Sequence, residues 1–331
     1  MRQLIKFVVG LALLLSVAVV DIRFWLRYAY TFYFLSLFLL VAVEVMGSAG
    51  MGAQRWLNLG LFQLQPSEAM KVTLVLALAR YFHGTNSENV GKLSYLIAPL
   101  ALILAPAWLV LRQPDLGTAI LLLLSGGMMF FLGGVRLWKF VFVFSSALAA
   151  IPLGWQFLHS YQKKRILVFF DPESDPLGAG YHIMQSKIAL GSGGVFGKGF
   201  LQGSQSHLNF LPEKHTDFIF TMLAEEFGLA GALGLIGLYM LLVAYGFFIA
   251  LQSRSHFGRL VALGLTATFF LYCFTNIAMV TGLIPVVGLP LPLVSYGGTA
   301  MLTLMVSFGI VMGVYVHRDL RISRNWVSQM E

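Results

Sequence analysis

Continuous apolar runs, each about as long as a bilayer is thick, make up most of this 331-residue sequence. About 20 helical residues cross a hydrocarbon core of about 30 Å, and such helices satisfy every backbone polar group without water. A hydropathy window of ~19 residues is the usual measure. Nine spans are predicted in this way: 3–20, 29–47, 67–83, 93–111, 115–133, 138–158, 217–251, 259–283 and 298–316. The seventh exceeds one span, which predicts a break near Gly228 to Gly231.

The composition supports an all-α, polytopic transmembrane helical bundle. Hydrophobic residues make up 58% of the chain and charged residues 11%, whereas a soluble domain carries about 25% charged residues. Barrel strands alternate apolar and polar residues over about 10 positions, and the runs here do not alternate. The single cysteine, Cys273, excludes an intrachain disulfide and a cysteine-rich metal site.

Basic residues indicate which connections face the cytoplasm. They collect in alternate connections: Arg23 and Arg27, Arg80 and Lys92, Arg136 and Lys139, Arg254 and Arg259, and Arg318, Arg321 and Arg324. By the positive-inside rule, the polar insert 159–216 is then a large extracytoplasmic loop within one membrane domain, 1–331. The net charge of +8 fits anionic lipid rather than nucleic acid. An odd span count leaves Arg2 and Lys6 outside, and an additional helix before them would resolve this conflict.

Charged residues at the ends of spans are candidate functional groups, because charge at a membrane boundary is costly. Glu68 and Lys71 lie on one helix face behind Pro66. They form either a structural ion pair or a pair that lines a cavity. Asp115, which opens a span behind Pro114, is either an N-cap or a charge at the mouth of an external cavity.

The densest polar cluster ends the insert, where the chain re-enters an apolar run. Its members are Glu213, Lys214, His215 and Asp217. The cluster has neither metal-ligand spacing nor a nucleophile elbow. A lone carboxylate here is a candidate general base, and the alternative is an N-cap for the seventh span. Glu225 and Glu226 follow within that span and need partners or water, which a cavity in the bundle would supply.

Two segments are too rich in glycine or proline for ordinary helix. The segment 191–199 is free enough to wrap an anion with Lys198 as its charge. It lacks the P-loop spacing, and a flexible surface loop is the alternative. The segment 285–298 is predicted to line a cavity at the entry to the last span. Asn276 and Thr281 add polar groups that face the same region.

These motifs together resemble the SEDS family (shape, elongation, division and sporulation) of membrane glycosyltransferases that polymerise peptidoglycan. The resemblance runs from Arg55-Trp56 and Pro66-Ser67-Glu68, through 113–117, to 295–298. It is most specific at 211–220, and residues 205–210 resemble the elongation branch more than the division branch. The family has ten spans, so this sequence, with about nine, is expected to begin at the second.

The resemblance implies a reaction, a substrate and partners. Asp217 is expected to be the catalytic residue, and Glu68 and Lys71 a functionally important pair. The implied substrate is lipid II, and the implied partners are a class B penicillin-binding protein and other elongation-complex proteins. The active site would face outward from the bacterial inner membrane. Substrate-binding candidates are Glu68, Lys71, Arg55, Asp115, Lys198, Lys214, His215, Glu213 and Ser295.

The expected reaction needs one base. Asp217 would deprotonate the 4-hydroxyl of the acceptor GlcNAc, which attacks C1 of the donor MurNAc with inversion. Lys198 and Lys214, with Arg112 or Lys71, would stabilise the departing pyrophosphate. A divalent cation such as Mg²⁺ or Mn²⁺ would assist, although no carboxylate cluster indicates one. A lipid II flippase, a division-type polymerase and a non-catalytic scaffold are the alternatives. Polar groups on the external face, without evident inverted repeats, favour an enzyme over a transporter.

Overall fold

The computed structural model describes residues 2–50, 53–58, 63–85, 90–157, 160–175, 178–203 and 216–324. These residues are mainly helical, which confirms the predicted class. The helices are α1 (Arg2–Val19), α2 (Ile22–Met46), α3 (Pro66–Gly84), α4 (Leu93–Arg112), α5 (Leu116–Leu132), α6 (Leu137–Phe157), α7 (Ser160–Phe170), α8 (Ala179–Ser192), α9 (Ile219–Gln252), α10 (His256–Val280) and α11 (Gly298–Val316). Three short antiparallel strands join α2 to α3: β1 (Ser48–Gly50), β2 (Ala53–Asn58) and β3 (Gln63–Leu64).

Each of the nine predicted spans falls on one helix. The helix α2 begins at Ile22, earlier than predicted, because the Asp21 carboxylate accepts the Arg23 backbone N–H and caps the helix. Five helices (α2, α4, α9, α10 and α11) are long and apolar enough to cross a membrane, and α1, α5 and α6 contain shorter apolar segments. The chain is therefore a multi-pass membrane protein.

The remaining predicted span, α3, carries Glu68, Lys71 and Arg80, and it is buried along most of its length. It packs against α2, α4, α5 and α11. Neighbouring helices rather than lipid surround its charged face, which explains how a helix with this composition is accommodated.

The polar insert is not simply a loop, because it contains α7 and α8 with a short 3₁₀ turn, Pro172–Ser174, between them. Hydropathy does not detect these helices, since they are not built to face lipid. The buried residues of α8, Ile183, Ser186 and Ala189, recur every third position and form one packed face.

The chain forms two compact units, each built from separate stretches of sequence. The first contains 1–135, 242–271 and 297–331, and the second contains 136–241 and 272–296. Glu68, Lys71, Arg55 and Asp115 belong to the first unit. Asp217, Lys198 and Ser295 belong to the second.

Two irregular segments are confirmed. The break predicted in the seventh span lies at Gly228, which has φ 67° and ψ −164° inside α9. The segment between Val280 and Gly298 is not helical, as its prolines and glycines predict.

Candidate active site

Asp217 lies two residues before α9 and is partly exposed. Its backbone is held by Asn276 of α10, whose side-chain amide is fully buried. Asn276 Nδ2 donates to the carbonyl oxygen of Asp217 at 2.9 Å and to that of Leu289 at 2.6 Å. One side chain thus ties the start of α9 to the proline-rich segment that follows α10.

Ser295 provides a second tie at the same place. Its buried hydroxyl donates to the carbonyl oxygen of Thr216, next to Asp217, and accepts the Leu291 N–H at 2.7 Å. Both described bonds are to backbone groups, so this contact orients the chain around Asp217.

The Asp217 carboxylate faces the backbone of the proline-rich segment. At Gly288, which has φ 73°, an added Cβ atom would lie 3.5 Å from Asp217 Oδ2. A glycine here satisfies the left-handed backbone and keeps the space beside the carboxylate open.

Hydroxyl groups fix the first turn of α9. Thr221 and Ser186 of α8 are both fully buried, and their hydroxyl oxygens are 2.7 Å apart. Ser186 also bonds the carbonyl oxygen of Val280 at 2.8 Å. Sequence reasoning did not single out these two residues, because an isolated Ser or Thr in an apolar helix gives little signal of its partner.

We expect Asn276→Ala to lower kcat by about 10- to 100-fold with little change in KM, because a displacement of ~1 Å at a reacting group costs up to 10²-fold. Steady-state kinetics on the proposed lipid-linked substrate would measure this. Thr275→Val is the matched control, since the Thr275 hydroxyl bonds the Tyr272 carbonyl of its own helix. An equal loss in both variants would contradict a specific role for Asn276.

In the first unit, the predicted Glu68–Lys71 pair is confirmed. Lys71 Nζ is 2.8 Å from Glu68 Oε1, and each side chain is 4% exposed. Pro66 lies in the first turn of α3, as predicted. Two charges buried this deeply depend on each other.

Asp115 is confirmed as the N-cap of α5. Its carboxylate accepts hydrogen bonds from the backbone N–H of Thr118 at 3.2 Å and from the Thr118 hydroxyl at 2.9 Å. Arg55 lies beside it, with Nε 3.6 Å from Asp115 Oδ2 and a bond to the Pro114 carbonyl oxygen. The Arg55 side chain is 26% exposed, whereas that of Asp115 is 3% exposed. Arg55 is therefore the group of this pair that solvent reaches.

The remaining candidates are Lys198, Arg112, Glu213, Lys214 and His215. Lys198 Nζ lies 2.8 Å from the Glu225 carboxylate, so the partner of this buried acid comes from the glycine-rich segment rather than from a cavity. Arg112 pairs with Glu44 at 3.1 Å. Glu213, Lys214 and His215 lie outside the described residues.

Within the described ranges, no group of three or more His, Cys, Asp or Glu side chains is placed to hold a metal ion. The divalent cation stays a prediction from chemistry alone.

Comparison with known proteins identifies relatives along nearly the whole chain. The FtsW, RodA and SpoVE family, described as "Cell cycle protein", matches residues 1–320. Peptidoglycan glycosyltransferase MrdB of Escherichia coli K12 is 48% identical over 96% of this chain and 86% of its own length. The probable peptidoglycan glycosyltransferase FtsW of Trichlorobacter lovleyi is 39% identical over 95% of this chain and 82% of its own.

Solved structures agree with these relatives. RodA of Thermus thermophilus has a TM-score of 0.71 at 30% identity, covering 96% of this chain and 88% of its own. A chain from a structure described as "Structural coordination of polymerization and crosslinking by a peptidoglycan synthase complex" has a TM-score of 0.83 at 34% identity, covering 96% and 89%. The fold, the family match and the extent of these similarities together show that the chain belongs to the SEDS family of FtsW, RodA and SpoVE proteins.

Proposed function

We propose that this protein is a peptidoglycan glycosyltransferase that polymerises lipid II into β-1,4 glycan strands during cell elongation, with Asp217 as its general base. The observation that carries the site assignment is the way Asn276 and Ser295 hold the backbone on both sides of the Asp217 carboxylate. A base works only when held within hydrogen-bond reach of the proton that it accepts. Identity to MrdB of 48%, against 39% to a probable FtsW, favours the elongation role over the division role.

In the proposed mechanism, the Asp217 carboxylate accepts the proton of the acceptor 4-hydroxyl. The freed oxygen attacks the anomeric carbon of the donor, the bond from that carbon to the pyrophosphate oxygen breaks, and the configuration inverts. The pyrophosphate leaves with its electron pair, so a second carboxylate acid is not needed, in contrast to a glycosidase.

Arg55, a predicted substrate-binding residue of the first unit, is supported as a phosphate-binding group by its exposed fraction and its fixed guanidinium. A planar guanidinium matches two phosphate oxygens at once. Lys214, with Glu213 and His215, stays a proposal from the sequence. Asp115 orients Arg55, and Glu68 and Lys71 form a buried pair within α3 of the same unit.

The proposed location follows from the membrane topology, and the proposed partner follows from a solved relative. The basic connections support an inner-membrane protein with Asp217 on the extracytoplasmic side. One solved relative comes from a complex described as coordinating polymerization and crosslinking. A class B penicillin-binding protein, which crosslinks the strands, is therefore the partner that we propose.

Reconstitution of the protein with its partner in vesicles that carry lipid II in both leaflets tests the function against a flippase. We expect glycan polymer in amounts that rise with time and need this protein. Movement of lipid II between leaflets without polymer would support the transporter, and neither product would support a scaffold. The same vesicles with Mg²⁺, Mn²⁺ or a chelator test the cation.

A further inference from the structure

Residues 193–199 of the glycine-rich segment contact the break in α9. They replace the hydrogen bonds that the break removes. In an unbroken helix, the N–H groups of Leu229 and Ala230 would bond the carbonyl oxygens of Glu225 and Glu226. Here those two carbonyls accept instead from the N–H groups of residues 198 and 199, each at 3.0 Å. The two freed N–H groups donate to the carbonyls of residues 194 and 195, again at 3.0 Å. All four backbone groups are therefore hydrogen-bonded, so the break in α9 leaves none of them unpaired. We call this contact between the segment and the break the joint.

Close backbone approach explains why this segment is rich in glycine. Gly194, Gly197 and Gly199 have φ of 54°, 80° and 105°. A Cβ atom at Gly197 would overlap the carbonyl oxygen of Glu226, and one at Gly193 would overlap that of Ala224. The N–H groups of residues 197–199 bond within the protein rather than wrapping an anion.

A buried ion pair fastens the same joint. Lys198 Nζ is 2.8 Å from Glu225 Oε1, where the Glu225 side chain is fully buried and that of Lys198 is 30% exposed. The chain then returns past the carboxylate, because a Cβ atom at Gly203 would lie 2.9 Å from Glu225 Oε2. A buried carboxylate needs a partner of opposite charge, so this pair adds to the four backbone hydrogen bonds that hold the segment against the break.

The joint acts on the part of α9 that follows Asp217. This part, residues 219–227, lies between Asp217 and the break, and Glu225 is about 9 Å along the helix from its first residue, Ile219, at 1.5 Å per residue. Its other end is held by Thr221 and Ser186 of α8. We call residues 219–227 the half-helix. Because α8 runs directly into the glycine-rich segment, one continuous stretch of chain contacts the half-helix near both of its ends.

We infer that Lys198 and Glu225 are a positioning pair for the glycosyl-transfer reaction, which fixes the half-helix and hence the Asp217 carboxylate. This inference rests on the proposed function. It assigns Lys198 to holding the base rather than to contacting the departing pyrophosphate.

A double-mutant cycle in the full-length protein with its partner tests the inference, using Lys198→Met, Glu225→Gln and both together. We expect each single variant to lower kcat about 10- to 100-fold with less than about a twofold change in KM. The double variant should lose no more than the worse single variant, because the two residues act as one unit. Lys198→Arg, which keeps the charge, should recover most of the loss. Lys164→Met breaks a pair with Asp175 in the same insert, in which the Lys164 side chain is 64% exposed, and should leave kcat unchanged.

Three results would overturn the inference: a raised KM in Lys198→Met beside an unaffected Glu225→Gln, losses that multiply in the double variant, or no recovery by Lys198→Arg. If Glu225→Gln does not fold, the comparison of Lys198→Met with Lys198→Arg decides alone, and equal losses reject the pair. Asp217→Asn is assayed in parallel. If it retains full activity, Asp217 is not the base and the proposed mechanism fails. If it is inactive and the cycle fails, only the positioning role is lost.

Discussion

Asp217→Asn should abolish glycan polymerisation, and Asp217→Ala should do the same. The amide keeps the size of the carboxylate and cannot accept the acceptor proton, and a general base contributes about 10²- to 10⁴-fold. The backbone bonds from Asn276 and Ser295 to residues 217 and 216 do not involve the carboxylate, so the variant should fold as the wild type does. Electrophoresis of the glycan product, together with partner binding and thermal unfolding, measures both expectations.

The matched control is Asp319→Asn. Asp319 is largely exposed and pairs with Arg254 at 3.6 Å near the C-terminal end of the described chain. The Asp319→Asn variant should keep the activity and the unfolding temperature of the wild type, since exposed ion pairs contribute little to stability. Full polymerase activity in Asp217→Asn would reject Asp217 as the base.

Glu68→Gln should cause the largest loss of stability among these changes. It removes the charge that compensates Lys71, and an unpaired buried ion typically costs about 3–5 kcal/mol. We expect a clear drop in the midpoint of thermal unfolding in detergent and a lower folded yield. The double variant Glu68→Gln/Lys71→Met removes both charges and should regain much of the stability.

That double variant also separates the two roles that remain open for the pair. A protein that is folded and active would show that the pair only supports α3. A protein that is folded and inactive would show that the pair contributes to the reaction, as the family resemblance implies. Wild-type stability in Glu68→Gln alone would contradict the mutual dependence of the two charges.

The transmembrane helices could be predicted because lipid imposes a simple demand on length and polarity. The break in α9 was also predictable, since a glycine inside an overlong span is a recognised weak point. The helices α7 and α8 were not, because they pack against protein and their composition resembles that of a loop. Their amphipathic faces become evident only once the buried partners are known.

The polar framework around Asp217 was less predictable than Asp217 itself. Asn276 is 59 residues from Asp217, and Ser295 is 79 residues from Thr216. Sequence reasoning placed Asn276 and Ser295 in the right region, but it could not assign bonds to particular carbonyl groups. The Lys198–Glu225 pair was missed for the same reason. Each residue was noted separately, and only the folded glycine-rich segment joins them.

The buried charges of α3 have a consequence for how the protein enters the membrane. A Lys, Arg or Asp residue at the centre of an inserting helix costs about 2.5–3.5 kcal/mol, and α3 contains three charged residues. Two of the helices that cover it, α4 and α5, are synthesised after it, and α11 is synthesised last among the described helices. Stable membrane integration of α3 therefore depends on later helices, even though Glu68 and Lys71 pair within α3 itself. A chain truncated before α4 should leave α3 poorly inserted, however complete its own sequence is.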